Sequence, residues 1–181
     1  MFQLPPVPSW DGLHPLIIHF PIVLLLVAPV LIVVGALVKP DKGGVLLWTA
    51  LLMMAIGTAT VFLAVETGEA AGKLADRTPA INAVLEHHEE LAERTRVAFS
   101  VLTVIFAAIL VIPKFVRRAS SSLVTTVLPL VFVVLYGVGT LLLVNTAHNG
   151  GRLVHELGVT AMVSPTNAPA ARPESGPEDR D

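Results

Sequence analysis

The chain has 181 residues, of which 54% are hydrophobic and only 14% are charged, whereas an ordinary soluble domain carries roughly 25% charged residues. The formal net charge is −2, and the sequence contains no cysteine. The composition excludes a soluble enzyme and a nucleic-acid-binding protein, and the lack of cysteine excludes disulfides, thiolate metal sites and covalently attached c-type haem.

Four long stretches of the sequence contain no Asp, Glu, Lys or Arg. They hold 27, 23, 17 and 33 residues and cover 12–38, 43–65, 97–113 and 119–151. Because a helix of about 17–25 apolar residues spans a bilayer, each stretch predicts a transmembrane helix. The predicted fold is an all-α integral membrane four-helix bundle, built from two helical hairpins over residues 1–160.

The first hairpin is predicted from its helix-favouring and helix-breaking residues. Pro15 is suited to the first position of a helix, and this helix is expected to end near Val38. The segment 39–44 contains a proline and two glycines, which favour a turn. The second span is then predicted over 45–67.

An amphipathic helix is predicted between the second and third spans. Thr78 is expected to cap it and Pro79 to occupy its first turn. The apolar residues between positions 81 and 95 cluster on one side, with His88 at the centre of the stripe. We expect this extramembrane helix to lie at the outer surface and to continue into the third span.

The fourth span is predicted from Leu123 to Ala147, ended by the glycine pair 150–151. From Ser164 onward, proline recurs every four residues among alanine, serine and acidic residues. This composition is typical of disordered segments. Residues 161–181 are therefore predicted to form a disordered tail.

Five basic residues set the predicted orientation, because short loops rich in Lys and Arg remain in the cytoplasm. They lie in the two short turns of the hairpins: Lys39, Lys42, Lys114, Arg117 and Arg118. In a bacterium this pattern predicts a multi-pass protein of the inner membrane, with both termini and the loop 68–96 on the periplasmic side.

All six histidines fall near the outer ends of the predicted spans: His14, His19, His87, His88, His148 and His155. Imidazole coordinates haem iron and transition-metal ions and transfers protons near neutral pH. A b-type haem would need two imidazoles facing each other across a gap between helices. Small residues at helix contacts would provide that gap, and the candidates are Gly57, Gly68, Gly72, Gly137 and Gly139.

His19 is the leading candidate ligand, because a polar ring one turn inside a span usually faces the protein interior. We expect His19→Ala to abolish cofactor binding. The other candidate haem ligands are His88, His148 and His14, with His14→Ala expected to leave most of the binding. The candidate ligands of a transition-metal ion are His19, His88, His148 and Glu66.

Structural roles are the alternative for these side chains. His14 would cap the first helix and contact lipid phosphates, His87 would be solvated, and His155 would lie in a loop. Glu66 would be an ordinary interfacial carboxylate. A pair of His19 with His88 would require the amphipathic helix to fold back over the bundle, whereas a pair with His148 would require an outward shift of the fourth span.

The string HPLIIHFPI at 14–22 resembles the opening of the bacterial membrane-protein family catalogued as domain of unknown function 2231. The resemblance continues with TGEAAG at 67–72, with His88 and with HNGGRLV at 148–154, and it covers about residues 13 to 160. Some relatives look fused to Rieske-type or cytochrome c domains, so the resemblance implies a place in membrane electron transfer.

One position departs from the family pattern. A histidine often directly precedes the final glycine in relatives, where this chain has Leu157, with His155 two residues earlier.

Together these patterns favour a small membrane protein that binds haem b and passes electrons, as a carrier or accessory subunit rather than a stand-alone enzyme. One alternative is a His/Glu site for copper, zinc or iron in metal handling. Another is an accessory subunit without a cofactor, whose histidines bridge helices and headgroups. The expected partners are the lipid bilayer and a periplasmic or membrane redox protein, and no nucleic acid.

Overall fold

The computed structural model describes residues 7–38, 40–115 and 122–159. Every regular element in these ranges is helical. The α-helices are α1 (His14–Ile17), α2 (His19–Leu37), α3 (Pro40–Gly72), α4 (Pro79–Phe115) and α5 (Leu128–His155). A 3₁₀ turn, Asp11–Leu13, precedes α1, and a π-helical turn, Leu123–Val127, precedes α5. The predicted tail, 161–181, lies outside the described residues.

Four helical segments are long and apolar enough to cross a membrane: Asp11–Leu37, Lys42–Gly72, Pro79–Phe115 and Thr125–His155. This arrangement confirms the predicted all-α bundle of two hairpins. The amphipathic helix and the third span form one continuous helix, α4, as expected. Its predicted cap is also present, since the amide of Ile81 donates to Thr78 Oγ1 at 3.3 Å.

Three of the predicted helix ends are wrong, one of which is the end of the second span, expected at 67, since α3 continues to Gly72. The expected turn at 39–44 instead contains the beginning of α3, because a proline such as Pro40 fits the first turn, where its missing amide hydrogen is not needed. A side chain at Gly43 would collide with the carbonyl oxygen of Gly35, so glycine permits α2 and α3 to approach closely here. The glycine pair 150–151 does not end α5, which continues to His155.

The helices pack in a ring, in which each long helix contacts two neighbours. The contacting pairs are α2 with α3, α3 with α4, α4 with α5, and α5 with α2. Helices α2 and α4 are therefore diagonally opposite. Aromatic rings fill much of the core: Phe106 stacks on Phe132 with centroids 4.8 Å apart, and Phe99 meets Tyr136 edge-on at 5.4 Å.

A proline inside α2 is compensated by a tyrosine of α5. Pro29 has no amide hydrogen, so the carbonyl of Leu25, four residues earlier, lacks its usual helical donor. The hydroxyl of Tyr136 donates to that oxygen at 2.7 Å. Because an unpaired carbonyl is costly inside a bilayer, this bond satisfies α2 and fixes α5 against it.

Tyr136→Phe should therefore lower the free energy of unfolding by about 1 kcal/mol, the value of an interhelical hydrogen bond in a membrane. In a Pro29→Ala background, the amide of residue 29 can reach the carbonyl, and the same substitution should cost less. Unfolding of the four proteins in mixed detergent micelles gives the double-mutant cycle. Equal costs in both backgrounds would show that the two residues are not coupled.

Candidate functional site

A cavity of about 420 Å³ lies within the outer end of the bundle, the end that carries the connection between α3 and α4. All four membrane-crossing segments contribute to its wall, which is mainly apolar and includes Val61, Val65, Leu85 and Leu143. Its volume falls within the roughly 300–1,000 Å³ of small-molecule and cofactor sites. The cavity therefore has the size and the apolar lining of a ligand site, and His14 and His88 form part of its wall.

His14, on α1, forms part of this wall. It is half-buried, and its Nδ1 lies 2.9 Å from the carbonyl oxygen of Ala64 on α3, with Thr67 Oγ1 at 3.3 Å. Since a carbonyl oxygen can only accept, Nδ1 carries a proton, and in the neutral imidazole Nε2 then keeps its lone pair. The ring rests on Gly68: a Cβ at that position would lie 2.8 Å from its Cε1.

His88, on α4, forms part of the wall in the same manner. Its Nδ1 donates to the carbonyl oxygen of Thr146 on α5, at 2.9 Å. The ring rests on Gly150, where a Cβ would lie 3.1 Å from Cε1. The hydroxyl of Thr146 is 2.9 Å from that of Thr95, and this contact joins α4 to α5 about two turns beyond His88 along α4.

The two arrangements are equivalent. In each, the accepting carbonyl and the supporting glycine are four residues apart and share one helix face. Each hairpin contributes the histidine from its first helix and the carbonyl from its second. Because α2, which follows α1, stands diagonally opposite α4, the two imidazoles line one cavity from different sides of the bundle.

His19 does not face the interior as the sequence reasoning expected, because its side chain is exposed on α2. The buried residues of α2 include Pro21, Leu25, Ala28 and Ile32, which define the stripe that faces the bundle. His19 precedes Pro21 by two residues, about 200° around the helix. His14 precedes Pro21 by seven residues, two turns, and so continues the stripe.

The remaining candidates also lie on exposed surface. The side chains of His87, His148 and Glu66 are exposed and do not line the cavity. The expectation that His155 lies in a loop is wrong, since it is the last residue of α5 and contributes to the cavity rim. His88, by contrast, lies on the buried stripe of α4, where its central position was predicted.

The metal-ligand set predicted from the sequence is not assembled in this structure. Of His19, His88, His148 and Glu66, only His88 lines the cavity. Throughout 7–38, 40–115 and 122–159, no three side chains of His, Asp or Glu converge closely enough to hold a metal ion. The histidines that line the cavity are His14, His88 and, at its rim, His155, and the acidic residues that line it are Glu69 and Glu89.

Of the five glycines expected to provide a gap between helices, Gly68 and Gly72 line the cavity, whereas Gly57, Gly137 and Gly139 do not. Gly57 and Gly139 are at tight contacts, where a Cβ would lie 2.8 Å from Leu25 and 2.7 Å from Leu102 respectively. Gly68 supports His14, whereas Gly137 has open space around it.

Sequence reasoning missed three parts of the site: the carbonyls of Ala64 and Thr146, and the support given by Gly150. Every residue offers a carbonyl, so the sequence carries no signal for the first two. Gly150 was interpreted as a helix end, although its place four residues after a threonine repeats the spacing of Ala64 and Gly68.

The sequence was then compared with known proteins. The family model described as "Predicted membrane protein (DUF2231)" matches residues 11–162, a range that includes both hairpins and both halves of the histidine site. The comparisons with curated proteins and with solved structures gave no match. The matched range covers most of the chain and confirms the resemblance found in its histidine and glycine motifs. The chain therefore belongs to the DUF2231 family of predicted membrane proteins.

Proposed function

We propose that this protein is a membrane electron carrier that binds one b-type haem in the outer-end cavity, with His14 and His88 as axial ligands. The observation that carries the proposal is the pair of equivalent half-sites. Each presents one imidazole, oriented by a helix carbonyl, to a shared apolar cavity.

The number of available ligands favours haem over a free metal ion. Protein sites for zinc and similar ions use about four ligands, of which three or more are side chains. A porphyrin supplies four nitrogen ligands of its own, so two imidazoles on opposite faces complete the coordination of its iron. In the described residues, no three side chains of His, Asp or Glu lie close enough together to hold a metal ion, whereas His14 and His88 both line the cavity.

The hydrogen bonds of the two rings suit them to axial ligation. A histidine that coordinates iron through Nε2 usually donates its Nδ1 proton to a carbonyl or carboxylate, which fixes the tautomer and increases the basicity of the ligand. His14 and His88 both donate to helix carbonyls. These acceptors belong to regular helices, so they hold the rings in fixed orientations.

The apolar wall and ligation by two histidines would together favour electron transfer. Haem iron bound in this way supplies reversible one-electron transfer. His14 and His88 would occupy both axial positions, leaving none open for a substrate, and the wall residues Val61, Val65, Leu85 and Leu143 would exclude water. This combination supports an electron carrier or accessory subunit, and not an enzyme that transforms a substrate.

The direct test is the absorption spectrum of the full-length protein purified from haem-replete cells. We expect a Soret band, a sharp α band after reduction with dithionite, and one non-covalent haem per chain by pyridine extraction. A stoichiometric transition metal without these bands would support the metal-handling alternative. A protein free of both haem and metal would support the cofactor-free accessory subunit and overturn the proposal.

The position of the site in the cell is also part of the proposal. In the sequence, the five basic residues belong to the turns after the first and third spans, whereas the cavity lies at the end that carries the connection between α3 and α4. Short turns rich in Lys and Arg remain in the cytoplasm, which supports a haem on the periplasmic side of a bacterial inner membrane. A periplasmic or membrane redox protein would then exchange electrons with it. A periplasm-active reporter fused after Ser164 should give signal, and one inserted at 43–44 should not; the reverse pattern would place the haem at the cytoplasmic face.

A further inference from the structure

A second, smaller cleft lies at the opposite end of the bundle from the histidines. It has a volume of about 220 Å³ and is formed between the start of α3 and the end of α4, with Thr125 contributing from the π-helical turn before α5. Apolar side chains line it: Leu47, Ile109 and Leu110. The cleft lies between helices at one end of their spans. Because its lining is apolar, it can accommodate a lipid acyl chain.

A fixed cation lies at this cleft. Lys114, in the last turn of α4, places its Nζ 4.2 Å from the centroid of the Trp48 ring on α3. The ring attracts the ammonium through its negative face and restricts its position. Trp48 lies about two turns from the start of α3, and tryptophan residues near the ends of membrane spans commonly meet lipid headgroups. The ammonium is therefore held near the end of the span, beside an apolar cleft.

The entrance to the cleft is left open by a glycine. Gly44 is one of its lining residues, and a Cβ built there would have no atom within 4 Å. The surrounding sequence is strongly basic: segments 39–44 and 114–118 together contain five Lys or Arg residues and one acid, Asp41. This charge balance disfavours a cationic ligand and favours an anionic one.

We infer that this cleft is a binding site for an anionic phospholipid, independent of the haem site. One acyl chain lies against the apolar wall, and the phosphate pairs with the Lys114 ammonium. Basic pockets between transmembrane helices recognise anionic headgroups in this manner. A zwitterionic lipid fills the apolar part equally well and also has a phosphate, but its headgroup carries a second, positive charge that the Lys114 ammonium repels. Lys114 therefore accounts for the headgroup preference.

The test uses the full-length protein incubated with an equimolar mixture of phosphatidylglycerol and phosphatidylcholine, followed by native mass spectrometry of the retained lipid. We expect one retained lipid per chain, enriched in phosphatidylglycerol. Lys114→Gln should lower the enrichment about fivefold, the factor that corresponds to about 1 kcal/mol per basic residue at an anionic surface. Gly44→Leu, which fills the entrance, should lower retention of both lipids.

Lys42→Gln is the matched control, because it removes the same charge at the same end from an exposed residue outside the cleft. Enrichment should be largely preserved in this variant. Equal losses in Lys114→Gln and Lys42→Gln would reveal general surface attraction and overturn the inference, as would unchanged lipid retention in Gly44→Leu. Circular dichroism of each variant confirms folding.

Discussion

We expect His14→Ala and His88→Ala each to lose haem binding, while His19→Ala retains it. Removal of an axial ligand should weaken haem affinity by more than the 10–100-fold typical of losing a group that only orients a ligand. His19 is the matched control, because it lies five residues from His14 but is exposed on the other side of the helix. The measurement is the haem-to-protein ratio after purification and after titration of the apoprotein.

This expectation reverses the ranking derived from the sequence, which put His19 first. If His19→Ala lost the spectrum and His14→Ala kept it, the ranking derived from the sequence would be right and the assignment proposed here wrong. A second measurement separates ligand loss from a folding defect. Imidazole added to either deficient variant should enter the space left by the ring and restore the low-spin spectrum, which a collapsed bundle would not allow.

The sequence predicted the orientation of the His88 side chain correctly and that of His19 wrongly, and this difference has a physical explanation. In the extramembrane half of α4, charged residues face water and apolar residues face the bundle, so the stripe identifies the buried side and places His88 on it. In α2, the side facing lipid is as apolar as the side facing the protein. Apolar residues therefore surround His19 on all sides in the sequence, and hydrophobicity alone gives no direction to its ring.

Spacing carried information that hydrophobicity did not. Pro21, Leu25, Ala28 and Ile32 follow the alternating three- and four-residue steps of one helix face, and His14 lies two turns before the first of them. Choosing this face over the others requires knowledge of where α3 and α5 pack. The number of spans, by contrast, depends only on the charge-free stretches and was predictable in full.

The end of α5 was mispredicted because a glycine pair signals a helix stop in water-soluble proteins. At a helix contact in a membrane, glycine instead lets another group approach the backbone closely. Gly150 has this role towards His88, and the helix continues for another turn to His155. A glycine in this sequence is thus consistent with either a helix stop or a close contact. Only the packing of α4 on α5 shows that Gly150 forms a close contact.

Gly68→Ala should weaken haem binding by about 10–100-fold, the effect expected when the orientation of a metal-bound histidine is disturbed. The added Cβ would lie 2.8 Å from His14 Cε1, closer than two carbons can approach. The ring cannot yield freely, because its Nδ1 is bonded to Ala64 on the same helix face. The methyl group must therefore lengthen that bond or displace the ring from its axial orientation.

Gly150→Ala should have the same kind of effect but a smaller one, because its Cβ would lie 3.1 Å from His88 Cε1 and a small ring shift relieves the contact. Gly137→Ala is the matched control: it alters another glycine of α5, which does not line the cavity and where a Cβ meets no atom within 4 Å. Haem titration gives the affinities, and electron paramagnetic resonance of the oxidised protein reports the ring orientations, which general destabilisation would not change. Equal effects at 150 and 137, or an unchanged spectrum in Gly68→Ala, would show that the glycines do not position the ligands.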